Sequence, residues 1–361
     1  MPAVTRAAQA FCAHFRCSAP VVCAAMAGVA GGDLAAAVGK RAGGVGFVGT
    51  AAPAPQVLKT EVDRARKALG IGESDELPLG VGVCAWYYEP PAVSGSSADI
   101  VQKGDTLLRH LLFGLRAESV WLSFSIEGAA GLEKWVERVR RIEKEGPRGE
   151  GERERTREIK VVVMVMDEAA GRAAREWPVD AVIVQGTEAG GHGPTTKAGA
   201  PLLTLLRALS PIYSNTSPPF LLGAGGLCSP SSVSAAFSAG AAAVVLGTAL
   251  QVADESLLKR AQKELLVQAR EGETVKSGVF DLARDGRNRW PEGVDGRGLV
   301  SATTREEGGD VGKLAERYKQ AVEEGDVERV ITWAGTGVGD VKSIRPAAEI
   351  VRELLGGQGK L

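Results

Sequence analysis

His192 is the side chain best placed by sequence to move a proton. The chain has three histidines, His14, His110 and His192, and only His192 lies in the string Asp180-Ala-Val-Ile-Val-Gln-Gly-Thr-Glu-Ala-Gly-Gly-His-Gly193. The run Ala181–Val184 fits a strand buried on both faces of a parallel sheet. Chemistry in α/β folds sits just past the C-terminal ends of such strands. Gly190 and Gly191 let the backbone approach a ligand closely and permit positive φ. An imidazole titrates near ~6.5, close to working pH, as proton abstraction from carbon requires. The competing reading is a solvated histidine in a glycine-rich surface turn, and the loop alone does not choose between the two.

A second constellation could hold an anion. Gly223-Ala-Gly-Gly226 and Gly247-Thr248 each follow an apolar run, one βα unit apart. Bare backbone N–H groups and a helix start offer donors and partial positive charge to a phosphate, and Thr248 adds a hydroxyl. Either signal alone reads as a tight turn, whereas the pair reads as a phosphate site. A phosphosugar enzyme and a flavin enzyme look alike at this level. Three scattered histidines and no Cys-x-x-Cys pair argue against a metal centre, and no Gly-x-Ser-x-Gly elbow is present.

Eight apolar runs alternate with helical stretches and must position these groups: Val21–Ala24, Val45–Val48, Leu79–Val83, Val120–Phe124, Val161–Val165, Ala181–Val184, Phe220–Ala224 and Ala243–Leu246. Eight such βα units close a (β/α)8 TIM barrel. A doubly wound sheet would want a Gly-x-Gly-x-x-Gly turn after the first strand, and Ala25–Ala30 does not supply it. Residues 1–255 are thus expected to form the barrel core. Its charged insert, about 143–160, should be solvated and remote from the site, so that a Gly/Ser linker in place of Gly146–Arg157 should leave ligand binding and turnover nearly unchanged. Residues 256–361 are expected to be a helical lid segment, with Asp285–Gly309 as a lid or a disordered insertion, and a closing helix returning to the barrel. A long loop, Ala85–Gly104, carries Trp86, Tyr87 and Tyr88, and Asp105 is expected to open the helix after it.

The net charge of −1 makes no case for nucleic acid or an anionic membrane. No apolar run reaches the ~18–20 residues of a membrane span. The five cysteines are odd in number and scattered in apolar surroundings, which reads as reduced thiols in a cytoplasmic protein. No acidic residue precedes Asp33, a feature of transit peptides, but Thr5–Phe15 reads better as a helix leading into the first strand.

The string Gln185-Gly-Thr-Glu-Ala-Gly-Gly-His192 resembles the signature of the nitronate monooxygenase family, also called 2-nitropropane dioxygenases. Further blocks resemble the same family: Pro20-Val-Val-Cys-Ala-Ala-Met-Ala-Gly28, Gly43-Gly-Val-Gly-Phe47, Leu222-Gly-Ala-Gly-Gly-Leu227, Gly240–Thr248, Asp254-Glu-Ser256, Trp333-Ala-Gly-Thr-Gly-Val-Gly339 and Pro346-Ala-Ala-Glu-Ile350. The resemblance implies FMN as cofactor, met by Ala25, Met26, Ala27, Gln185, Ala189, Gly190, Gly191, Gly225, Gly226, Gly247 and Thr248. It implies oxidation of a nitronate or nitroalkane with dioxygen to a carbonyl compound and nitrite, with His192 as general base or as hydrogen-bond donor to the anion, and it leaves room for a homodimer. Two positions depart from the pattern. Ala25 replaces a proline, and Met164 stands where a Gln or Lys is expected to reach the flavin. Three alternatives stay open: an FMN- and NAD(P)H-dependent enoyl reductase on the same fold, a flavin-binding protein without turnover, and a phosphosugar isomerase or lyase.

Overall fold

The computed structural model describes residues 5–49, 55–90, 97–214 and 216–357. Every apolar run expected to be a strand is one. They are β1 (Val21–Cys23), β2 (Phe47–Val48), β3 (Leu77–Cys84), β4 (Ala117–Ser123), β5 (Lys160–Val165), β6 (Ala181–Gln185) and, after a short strand β7 (Gly191–Pro194) outside the barrel, β8 (Phe220–Ala224) and β9 (Ala243–Leu246). All eight barrel pairings are parallel, in the order β2-β3-β4-β5-β6-β8-β9-β1. The ring closes where Cys23 N donates to Val45 O (2.9 Å) and Val45 N donates to Val21 O (2.8 Å). The fold is a (β/α)8 barrel.

Successive side chains on a strand face opposite ways, so each run feeds two cores. Val22, Phe47, Val162, Ile183, Leu222 and Val245 fill the barrel interior. Their neighbours Val21, Val161, Val163, Val182, Val184 and Val244 pack outward with the surrounding helices. The helix Arg6–Phe15, capped by Thr5 Oγ1 on Ala8 N (3.1 Å), closes the N-terminal end of the barrel. Its Phe11 meets Phe220 edge-on at 5.9 Å. His14, on the same helix, lies 2.6 Å from Asp180 Oδ1, at the end of the molecule away from the C-terminal ends of the strands.

The loop after β3 is shorter than expected. Ala85–Tyr88 form a 3-10 turn, and the next helix runs Ser97–Arg109; residues 91–96 of the expected loop lie outside the described residues. Asp105 therefore sits inside a helix rather than opening one. It pairs instead with Arg138 (2.8 Å) and Arg141 (2.6 Å) across the neighbouring helix Gly128–Glu145.

The charged insert precedes β5 and lies at the N-terminal face of the barrel, as expected, but it is bonded to that face. Arg109 grips Glu152 through Nε and Nη2 (2.9 and 2.6 Å), which holds that carboxyl down at about 2. Thr156 binds the Glu76 carboxylate through N and Oγ1, both 2.7 Å, and Arg155 Nη1 donates to Leu112 O (3.0 Å). Glu152 bound to Arg109 stabilises the fold above the ordinary glutamate range of ~4.3. That contribution is lost as pH falls through about 2. Replacing Gly146–Arg157 with a Gly/Ser linker should thus lower the melting temperature and blunt its acid-side fall, with the cavity at the other face intact. Thermal melts of both proteins across that pH window check this, and superimposable curves would contradict it.

The last third carries the helices Arg260–Gln268, Val279–Asp285, Val311–Glu324 and Ala347–Leu354 and two strands, β10 (Thr274–Ser277) and β11 (Val294–Leu299). β11 pairs antiparallel with both β10 and β7, which places Gly296 opposite His192. The segment expected to be a lid is thereby stitched onto the histidine strand. Among the described residues, no helix is long and apolar enough to cross a membrane.

Candidate active site

A cavity of about 360 Å³ opens at the C-terminal ends of the barrel strands, within the size range of cofactor and small-ligand sites. Every residue picked out from sequence as a site residue lines it: Ala25, Met26 and Ala27 after β1; Gln185, Ala189, Gly190, Gly191 and His192 after β6; Gly225 and Gly226 after β8; Gly247 and Thr248 after β9. Met164 of β5 also lines it, so strand five offers a thioether there in place of a polar group.

Local backbone geometry explains the residue types. Gly191, Gly225 and Gly226 have φ of +71°, +125° and +68°, conformations that favour glycine. A Cβ on Gly191 would meet no atom within 4 Å. A Cβ on Gly190 would strike the Ala334–Gly335 backbone at 2.5 Å, so the C-terminal motif lies directly behind the Gly-Gly pair. Gly335 N donates to Thr248 Oγ1 (2.9 Å). That hydroxyl keeps its own hydrogen to donate. Glu188 of the histidine string is a helix cap, accepting from Leu202 N through both oxygens (3.1 and 3.0 Å). Ala25 leaves the first turn without a proline, yet Met26 O accepts from Val29 N (3.1 Å) and Ala30 N (2.8 Å), which closes it.

His192 is nearly enclosed, its side chain 8% exposed. Its Nε2 lies 3.0 Å from each carboxylate oxygen of Asp281, a residue with no exposed surface. Trp290 stacks on the ring at 3.6 Å and 12°, and Trp333 approaches at 4.9 Å. Burial, which strips water from the imidazolium, lowers the pKa of His192 below the ordinary histidine value, and Asp281 offsets this only in part. That shift favours the neutral ring, the form of a histidine that can accept a proton. Arg284 lines the cavity and donates from Nη2 to Asp281 (2.7 Å) and Asp285 (2.9 Å). Of the aromatic trio after β3, Tyr87 lines the cavity. Trp86 is stacked behind it at 4.0 Å, and Tyr88 packs edge-on to Trp135.

Asp281, Arg284, Trp290, Trp333 and Gln251 were not singled out from sequence as site residues. Asp281 and Arg284 share one face of the helix Val279–Asp285, which follows β10 of the β10–β11–β7 sheet, and that sheet carries the helix to the barrel mouth. Among the described residues, no group of His, Cys, Asp and Glu side chains is arranged to hold a metal ion.

Comparison with known proteins agrees with this geometry. The nitronate monooxygenase npaC of Metarhizium robertsii is 29% identical over 348 residues, spanning 92% of this chain and 89% of that protein. A nitroalkane oxidase from Streptomyces ansochromogenes superposes with a TM-score of 0.68 at 26% identity, over 95% of this chain and 96% of its own. FabK from Thermotoga maritima shares the fold, with a TM-score of 0.68 at 22% identity over 98% and 95%. The nitronate monooxygenase family model matches residues 143–357, more than half of the chain and the part that carries the histidine string, both glycine turns and the C-terminal motif, so the chain belongs to the nitronate monooxygenase family of oxidoreductases.

Proposed function

We propose that the cavity binds one non-covalent FMN per chain and that the protein oxidises nitronates, or nitroalkanes after loss of their α-proton, consuming dioxygen and releasing a carbonyl compound and nitrite. The carrying observation is that His192, with its buried carboxylate partner, shares one cavity with the glycine turns after β8 and β9. The residues present suit the cofactor. Three side chains that line the same space each carry a buried polar atom without a protein partner: Gln185 Oε1, Gln251 Oε1 and Trp290 Nε1. An uncompensated buried polar group is costly, and a ligand with both donors and acceptors would satisfy these. The N–H groups around Gly225–Gly226 and Gly247–Thr248 would hold the phosphate, and the Ala25–Ala27 backbone would meet the ring system. All five cysteines are free thiols, which suits the cytoplasmic setting this reading carries.

When bound, FMN supplies the capacity to take electrons from the nitronate and to react with dioxygen. The chain's own part is to orient the substrate and handle its proton. His192 takes the α-proton of a neutral nitroalkane, and the electron pair left on carbon delocalises into the nitro group. The same ring, once protonated, donates a hydrogen bond to the nitronate. Trp290 and Trp333 pack against the ring and keep it away from bulk water. Because burial lowers the pKa of His192, the base form persists to lower pH than for a free histidine. The acidic limb of kcat/KM on neutral nitroalkanes should thus lie below ~6.5.

Purified protein should be yellow, and the cofactor released on denaturation should be FMN, not FAD. A colourless protein that takes up no added FMN would end this reading. Steady NADH consumption with an enoyl thioester, without nitrite from nitronates, would select an enoyl reductase instead.

A further inference from the structure

We infer that Asp281 is a positioning residue for His192: its carboxylate locks the imidazole in the tautomer that carries hydrogen on Nε2 and leaves Nδ1 as the proton acceptor. The inference rests on the reading of His192 as the base.

An ionised carboxylate only accepts hydrogen bonds, so the ring nitrogen it faces must carry the hydrogen. Both Asp281 oxygens lie 3.0 Å from Nε2. Nδ1 makes no hydrogen bond to any described residue, so it is the nitrogen left for a substrate in the cavity that His192 lines. The carboxylate is itself fixed. Arg284 Nη2 donates to Asp281 Oδ1 (2.7 Å) from one turn further along the same helix. The ring is fixed too, because Trp290 covers one of its faces at 3.6 Å. Its carboxylate partner and the helix that carries it come from a part of the chain 89 residues away.

The charged groups facing His192 are few. Asp281 and Arg284 come from the helix Val279–Asp285, with Asp285 beyond Arg284, and Lys276 comes from β10. Lys276 is turned to Asp295 O (3.0 Å), and on β11 Arg297 is bonded to Thr187 O (3.2 Å). Among the described residues, Asp281 is therefore the one anion bonded to the ring. When the substrate C–H bond breaks, its proton goes to Nδ1 and its electron pair stays with the substrate. The resulting imidazolium then faces a carboxylate through Nε2–H. An amide at this position reverses the logic, since its NH2 can donate to Nε2 and push the ring hydrogen to Nδ1.

The test is ¹⁵N NMR of histidine-labelled holoprotein above the His192 titration, the His192 signal being assigned by its loss in His192→Asn. Wild type should show the Nε2–H tautomer. Asp281→Asn should shift it to Nδ1–H or to an exchanging average, with FMN retained. In that variant turnover of neutral nitroalkanes should fall by ~10–10²-fold, nitronate turnover should change much less, and the acidic limb should move to lower pH as the imidazolium loses its counter-charge. An Nδ1–H or averaged ring in wild type would overturn the inference, a result that does not depend on the variant folding. An unchanged tautomer in Asp281→Asn would also overturn it. A tautomer that shifts as expected without loss of nitroalkane turnover would uphold Asp281's control of the ring and refute His192 as the base.

Discussion

His192→Asn is expected to lower turnover of neutral nitroalkanes by the ~10²–10⁴-fold typical of losing a positioned base, while oxidation of preformed nitronates suffers much less. Asparagine keeps a hydrogen-bonding group of similar size in a site that is 8% exposed, so the cavity wall should persist. It cannot accept the proton. FMN should stay bound, because the glycine turns that would hold its phosphate belong to β8 and β9 and not to the strand of His192. The measurement is nitrite release from both substrate forms at one pH, on wild type and variant. Equal loss on both would assign His192 to anion stabilisation. No loss on either would remove it from the chemistry.

The second large effect is expected from Gly190→Val. A Cβ there would lie 2.5 Å from both the carbonyl carbon of Ala334 and the nitrogen of Gly335. Those are backbone atoms and cannot step aside as a side-chain end can. Gly335 N also donates to Thr248 Oγ1, so one side chain would displace the C-terminal motif and disturb the hydroxyl beside the glycine turn. Overpacking of this kind costs about 1–3 kcal/mol, equivalent to roughly 10–10²-fold in affinity if the strain falls on the liganded geometry. The variant should purify with little or no FMN and regain colour only at high added concentrations. A variant as yellow as wild type after dialysis would show that the Gly190–Gly335 contact does not govern the site.

The barrel was legible because its signal is local. Each strand is a short apolar run, four of the eight followed at once by glycine (Gly49, Gly186, Gly225 and Gly247), and burial on both faces demands such runs wherever the strand sits. The glycine turns were legible for a similar reason, since positive φ at Gly225 and Gly226 leaves a mark at the residue itself. The partners of His192 left no comparable mark. Asp281 and Arg284 form an ordinary i, i+3 pair on a short, mostly apolar helix, and Trp290 lies in a Gly/Arg-rich stretch that reads as a lid. What makes them site residues is the antiparallel pairing of β11 with β7, a contact between segments about a hundred positions apart in which β11 carries four glycines or charged residues among its six. The charged insert was placed on the correct face but read as free in solvent. Its Glu152 and Thr156 find partners at Arg109 and Glu76, separations of 43 and 80 residues that composition does not reveal.

The central claim is that this cavity brings a nitronate to a bound flavin. It is tested most directly by mixing the purified protein anaerobically with a preformed nitronate and following the visible flavin absorbance, then admitting air. The account predicts loss of the oxidised flavin spectrum without dioxygen, its return on aeration, and nitrite formed with dioxygen consumed. A bound flavin whose spectrum is indifferent to nitronates, but which is bleached by NAD(P)H and reoxidised by an enoyl thioester, would contradict it.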